Sequence, residues 1–326
     1  MTAATAPRPW RMFAPLGLVL LLLGLWSAYW LVVSRETRRA VEGFERQAAA
    51  SGTDVACGRR GWGGYPFRVE YGCGAPAVSF AIGGGRGKAT SGVLSLVIQP
   101  WNFSHVVGLL DGPSALEIPG SPPLTLTHGR AAASLKVAGR TGQVALELPN
   151  PEIAGRFSAR MITLNGRLRD DGFAEAAAEA NGLAVTLPTG KSLSLSRVTA
   201  LVAAPARLLE AANPLRAAAG AGDALEVKHI DIAGPGYDLG VSGILRVDRA
   251  GRLGGQLAVT TATLDGLLAA LESEALVSRE QLSMVRAAMM LMNVSKASGA
   301  VQVNAEFRAG ALYLGPFKVA DVPPLF

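Results

Sequence analysis

LTLTHGRAAASLKVAGRTGQVALELPNP, residues 124–151, decides the fold class. Leu124-Thr-Leu-Thr, Ser134-Leu-Lys-Val and Gln143-Val-Ala-Leu-Glu-Leu alternate apolar and polar residues, the pattern of strands with one greasy and one wet face. AGRTG at 138–142 and Pro149-Asn-Pro supply the turn chemistry between and after them. The same period returns at Ser192-Leu-Ser-Leu-Ser and Gln302-Val-Asn-Ala-Glu-Phe-Arg, with further breaks at GGGRG (83–87) and GSPP (120–123). Such regular punctuation predicts an antiparallel meander, not alternating βαβ units. In Leu225-Glu-Val-Lys-His-Ile-Asp-Ile the apolar parity shifts between Val227 and Ile230, which a β-bulge would produce.

Helical signal is sparse in this part of the chain. Residues 205–219 read as a helix broken by Pro214. Residues 263–274 and 278–292 read as a helix pair, the second starting near Ser278 and Glu280–Gln281. Its methionines (Met284, Met289, Met290, Met292) suit either an adaptable binding face or plain packing over a sheet. Strands followed by helix occur twice, but without a matched motif that would make a duplication. The expected fold is mainly β, a β-rich α+β body. It would form a curved antiparallel sheet or a sandwich with a few covering helices, preceded by one N-terminal transmembrane helix.

Hydrophobic residues make up 49% of the 326-residue chain, and much of that sits at the start. Residues 12–33 (MFAPLGLVLLLLGLWSAYWLVV) carry no charge, and about 20 apolar residues suffice to cross a bilayer. Trp10, Trp26, Tyr29 and Trp30 fall near the ends of the run, where amphipathic rings suit the interface. The run is longer than a signal-peptide core, and the bulky WSAYW offers no small-residue cleavage site. It therefore reads as an uncleaved signal anchor, with a cleaved signal as the alternative. Arg8 and Arg11 before it are balanced by Arg35, Arg38 and Arg39 after it, so loop charge does not fix the orientation. A short tail before the span and a long cysteine-containing remainder after it favour an exported C-terminal body. The expected division is a cytoplasmic tail (1–11), a transmembrane anchor (12–33), a helical stalk lifting the body off the surface (34–50) and an exported β-rich domain (51–326).

The net charge of +6 is mostly local, because residues 1–39 hold five arginines against one glutamate. The near-neutral remainder argues against nucleic acid as a partner. Chemistry is equally thin. GGGRGK lacks the first glycine and the final hydroxyl of a phosphate-binding loop: Ile82 and Ala89 stand there, and SGVLSLVI after it reads as a strand. His105, His128 and His229 are scattered and form no zinc-type pair, so no metal or cofactor is expected. No serine or cysteine stands in a pattern with a histidine that suggests an activated nucleophile, and Asp170–Asp171 lie in an RDDG turn. The expectation is a protein without catalytic activity.

The two cysteines bracket CGRRGWGGYPFRVEYGC, residues 57–73. Two ligands alone make no metal clip, and the spacing is not Cys-x-x-Cys. In an exported body Cys57 and Cys73 become a disulfide. Closing a loop of that size is worth about 3 kcal/mol in the chain-entropy model. Trp62-Gly-Gly-Tyr65-Pro66 reads as a hairpin tip, and Phe67-Arg-Val-Glu-Tyr71 as the returning strand. Trp62, Tyr65, Pro66, Phe67 and Arg68 have the composition of an interaction loop, or of rings packed beneath their own hairpin.

Given these features, the chain resembles the bacterial domain-of-unknown-function 2125 family. The likeness rests on the N-terminal anchor, on Gly-Tyr65-Pro66-Phe67-Arg68 between cysteines, and on the ending Gly310-Ala-Leu-Tyr-Leu-Gly-Pro316…Val-Pro323-Pro324-Leu. Residues 243–257, followed by Leu264-Asp-Gly-Leu-Leu, look like the strand–turn–strand–helix pattern of the broader AsmA-like group. The resemblance implies a body held at the periplasmic face of the bacterial inner membrane by a single crossing. It implies no catalytic residue. The AsmA-like link implies a curved sheet with an apolar concave face associated with lipid handling. The expected partners are the bilayer, a phospholipid in an aliphatic groove, and, in the competing reading, another envelope protein held by the stapled loop or a sheet edge. Aliphatic strand faces suit acyl chains and an ordinary sandwich core alike.

Overall fold

The structure, a computed structural model, describes residues 10–82, 85–139, 141–186, 190–211, 213–273, 283 and 301–326. The chain divides into two compact units, Met1–Gly108 with Leu116–Pro123 and Leu109–Ala115 with Leu124–Phe326.

The first unit begins with one continuous helix, α1 (Trp10–Ala50), with Pro15 in its second turn, where the Arg11 carbonyl loses its intrahelical donor. Over Phe13–Ala50 it is long and apolar enough to cross a membrane. Its leucines from Leu16 to Leu25 are more than half exposed, whereas Val33 and Ser34 are buried at 5% and 4% exposure. Short strands follow: β1 (Asp54–Ala56), β2 (Arg59–Gly63), β3 (Val69–Gly74), β4 (Ala77–Ile82), β5 (Gly85–Thr90), β6 (Val93–Gln99), β7 (Asn102–Leu110) and β8 (Ser114–Glu117). β2 and β3 form the stapled hairpin, with Trp62 opposite Tyr71, and β6 lies on the other side of β3. The returning strand starts at Val69, two residues later than the sequence pattern suggests, because Phe67 and Arg68 belong to the turn. On β3, Val69, Tyr71 and Cys73 alternate into the core. Of the glycine run, Gly85, Arg86 and Gly87 lie on β5, where Ile82 pairs with Gly85. A Cβ on Gly87 would stand 2.7 Å from the Phe80 ring, so packing, not phosphate, selects that glycine.

The second unit holds β9 (Leu124–Leu126), β10 (Ala131–Ala138), β11 (Thr141–Pro149), β12 (Glu152–Ile153), β13 (Phe157–Ser158), β14 (Met161–Leu168), β15 (Phe173–Thr186) and β16 (Ser192–Pro205). It continues with β17 (Ala224–Gly234), β18 (Tyr237–Val247), β19 (Leu253–Thr261), β20 (Val301–Arg308), β21 (Ala311–Leu314) and β22 (Phe317–Asp321). From β10 to β22 each strand pairs antiparallel with the next, except that β11 skips the two-residue strands and pairs with β14. The register slips between Val227 and Ile230, where the apolar parity shifts in the sequence. The expected break at Pro214 is also present. A 3-10 turn (Ala206–Glu210) precedes α2 (Pro214–Ala221), which starts on Pro214 with Asn213 capping Arg216 N–H at 3.1 Å. α3 (Leu264–Ser273) follows β19. The expected helix over 278–292 and its methionines lie outside the described residues, Ser283 apart.

Registers separate the two faces of this sheet. Leu135, Val144, Gly166, Ala176, Val202, Val227, Gly243, Leu257, Ala305 and Leu314 stand side by side from β10 to β21. The next row on that face is Ala133, Leu146, Leu164, Ala178, Ala200, Ile230, Val241, Val259 and Val303. One position along, Glu147, Thr163, Glu179, Thr199, Asp231, Gly240, Thr260 and Gln302 form a polar row on the other face. Period-two sequences held in register make one aliphatic and one polar surface.

Candidate functional site

Two places stand out, one in each unit. In the first, α1 and the stapled hairpin are joined by aromatic donors. Trp26 Nε1 donates to Pro66 O at 3.0 Å, Trp30 Nε1 to Arg68 O at 2.8 Å, and Tyr29 OH to Pro100 O at 2.6 Å. The Ser27 and Tyr65 hydroxyls lie 2.8 Å apart, and the Trp30 and Tyr65 rings meet edge to face at 5.3 Å. Further along α1, the Arg38 guanidinium sits 5.1 Å over the Trp62 ring, and Glu45 pairs with Arg60 at 3.1 Å. Residues 34–50 thus run beside this hairpin and do not lift it clear of the anchor.

The stapled-loop residues consequently divide. Trp62 packs on Tyr71 at 4.9 Å, Tyr65 and Pro66 bond to α1, and Arg68 pairs with Glu70 at 2.6 Å. Phe67 stays 66% exposed. Cys57 and Cys73 are bonded, with their Cα atoms 5.5 Å apart, closing the base of the hairpin.

In the second unit the aliphatic face is incompletely covered by described residues. Leu135, Val144 and Leu164 keep 49%, 50% and 43% of their surface exposed. Where Gly142, Gly166, Ala174, Ala176 and Ala204 make a low floor, Leu135, Val144, Leu168 and Leu209 rise around an apolar recess of about 300 Å³. Beside it Glu175 accepts from Lys228 at 2.5 Å, Arg167 at 2.6 Å and Arg169 at 2.8 Å. These donors, Lys228 foremost, hold its carboxyl down to about 2. A second recess of about 570 Å³ lies between α2 and the β18–β19 turn, lined by Arg246, Arg249 and Arg252.

The fold also makes one pairing that sequence distance concealed. Ser114 Oγ lies 2.8 Å from His128 Nε2, and His128 Nδ1 donates to Gly129 O at 2.6 Å. That tautomer lets Nε2 accept the serine proton, as an activated nucleophile requires. Neither recess above includes either residue. His229 is exposed at the bulge, and Asp171 caps its turn by accepting from Phe173 N–H at 3.1 Å. Among the described residues no group of three His, Cys, Asp or Glu is placed to hold a metal ion.

One long apolar helix clasped by a disulfide-closed hairpin, followed by a two-faced antiparallel sheet, defines a β-rich protein led by a membrane-compatible helix. The model of the family described as "Uncharacterized protein conserved in bacteria (DUF2125)" matches residues 30–323, and the chain belongs to that family. A search of curated proteins found no match. The AsmA-like likeness rests on the strand–turn–strand–helix pattern alone.

Proposed function

We propose that this protein is a single-pass, membrane-anchored, non-enzymatic protein of the bacterial envelope that binds phospholipid acyl chains on the aliphatic face of its second unit. The observation that carries the reading is that face itself. Two registered rows rich in Leu, Val, Ile and Ala include side chains about half exposed, around a mainly apolar recess whose charged neighbours, Arg167 and Glu175, are paired with each other. Acyl chains need area and no fixed polar contact, and such a surface supplies it. The disulfide supports an oxidising compartment for the body, hence the periplasmic side of the inner membrane. A scaffold that grips another envelope protein through the stapled loop is the competing reading. It has less to draw on, because Trp62, Tyr65 and Pro66 are already engaged within their own unit.

The paired change Leu135→Gln and Val144→Gln in the full chain tests the reading. Half-exposed positions tolerate a polar side chain at roughly 1 kcal/mol or less each, so the melting temperature should stay close to wild type. Phospholipid recovered per mole of protein should fall below the wild-type value, the anchor's share being common to both. Unchanged lipid at unchanged fold would defeat the reading. Cooperative unfolding of the variant would mean the face is a closed core.

A further inference from the structure

The turn of the hairpin grips α1 within its apolar stretch, while β2 meets the helix further on, at Arg38 and Glu45. Trp26, Ser27, Tyr29 and Trp30 all precede Val33, the last apolar residue of the run. Their partners are the hairpin turn at Tyr65–Arg68 and the turn at Pro100. Beyond these contacts Phe67 and Trp101 reach further back along the helix. With Val19, Leu22, Leu23 and Trp26 they line an apolar recess of about 580 Å³. At 1.5 Å per residue, Trp26 lies about 10 Å and Leu22 about 16 Å along the axis from Val33, so the recess reaches the middle of the apolar run. One leaflet's hydrocarbon layer is about 15 Å deep, half of a core of about 30 Å.

We propose that the tips of these two turns, Phe67 and the Trp101–Phe103 segment, are immersed among the acyl chains of the leaflet on the body's side. The recess against α1 is then filled by a phospholipid chain. The inference rests on α1 spanning the bilayer, as proposed above.

Three observations support it. The exposed residues have the right chemistry: Phe67, Trp101 and Phe103 are 66%, 57% and 55% exposed, and the recess is continuous with the bare leucine surface of α1. A contiguous apolar patch of this kind is costly in water and stable in lipid. The backbone is prepared for a place without water, where an unpaired carbonyl is expensive. Pro66 and Pro100 lack an N–H, and the carbonyls of Pro66, Arg68 and Pro100 accept hydrogen bonds from Trp26, Trp30 and Tyr29. Gly64 O takes the N–H of Arg68 at 2.9 Å, and Ser27 Oγ, beside the Tyr65 hydroxyl, donates to Leu23 O at 2.7 Å. Charge begins only where the surface should meet headgroups and water, at Arg68 with Glu70 and at Arg35, Arg38 and Arg39 on α1. The second unit's sheet binding lipid is not needed for any of this.

The test uses the full chain in phosphatidylethanolamine–phosphatidylglycerol vesicles, with an environment-sensitive NBD label on single introduced cysteines. Phe67→Cys and Phe103→Cys report the two turns, Leu23→Cys the helix, and Phe173→Cys, 44% exposed in the second unit, gives an aqueous reference. Circular dichroism matching wild type selects the variants that are read, and either turn variant suffices. The expected result is blue-shifted emission at position 67 or 103, quenched by acyl-chain nitroxides as strongly as at position 23 and protected from iodide. Iodide quenching at 67 and 103 with lipid quenching at 23 would overturn the immersion while leaving the anchor intact. Labels that are shielded from both quenchers would overturn it too, placing protein against the turns. Iodide quenching at position 23 would instead remove the anchor, and the inference with it.

Discussion

Glu175 shows how this sheet manages charge on its polar side. Three cations converge on one carboxylate, and its titration is displaced to about 2, below the ordinary range near 4.3. A depressed carboxylate stabilises the fold above its unfolded value and loses that contribution as pH falls through the folded one. The wild type should therefore lose stability relative to Glu175→Gln between about pH 4.5 and pH 2, so that the gap between them closes. Chemical denaturation at stepped pH measures this, and a gap that stays constant would show that Glu175 titrates normally. Ser114 is the other residue-scale question. His128 holds the tautomer of a general base, yet the pair lies outside the described recesses. In a non-enzymatic protein, a fluorophosphonate probe should leave Ser114 unmodified under conditions that label an active serine hydrolase. Stoichiometric modification at Ser114 would contradict the non-enzymatic reading and point to a serine hydrolase.

Among elements, the stapled hairpin is the one whose sequence and structure agree most closely. Its glycines, its proline and its two cysteines foretold a closed turn between two strands, and β2 and β3 realise it. A loop of this length should contribute about 3 kcal/mol through its crosslink. Replacing Cys57 and Cys73 by serine should lower the unfolding free energy by that amount. It should also weaken the clasp on α1, read as faster protease cutting within residues 57–74. No change in either would mean that the clasp alone orders the hairpin. Other elements were legible for equally local reasons. Pro214 starts α2 because it cannot continue a helix, and the bulge at Val227–Ile230 follows from a parity shift that a regular strand cannot absorb. The contact between α1 and the hairpin was not legible. Its partners lie 38 to 40 positions apart, and the two tryptophans bond to main-chain carbonyls, which carry no side-chain signature. For the same reason residues 34–50 read as a free stalk. Ser114 and His128 escaped because only the pairing of distant segments brings them together.

For the molecule as a whole, strand period announced a sheet with one aliphatic face but could not say whether that face is closed over. Alternation fixes which side chains share a surface, while cover depends on elements whose positions no local pattern encodes. The recess depends on where small residues of separate strands align: Gly142, Gly166, Ala174 and Ala204 are ordinary in sequence and make a floor only in register. The lipid-binding claim is tested most directly by photo-crosslinking in living cells. Benzoylphenylalanine is placed at Val144 on the aliphatic face or at Glu147 on the polar one, and adducts are identified by mass spectrometry. The expected result is a phospholipid adduct from position 144 and none from position 147. Protein adducts alone at position 144, or equal lipid labelling from both faces, would contradict it.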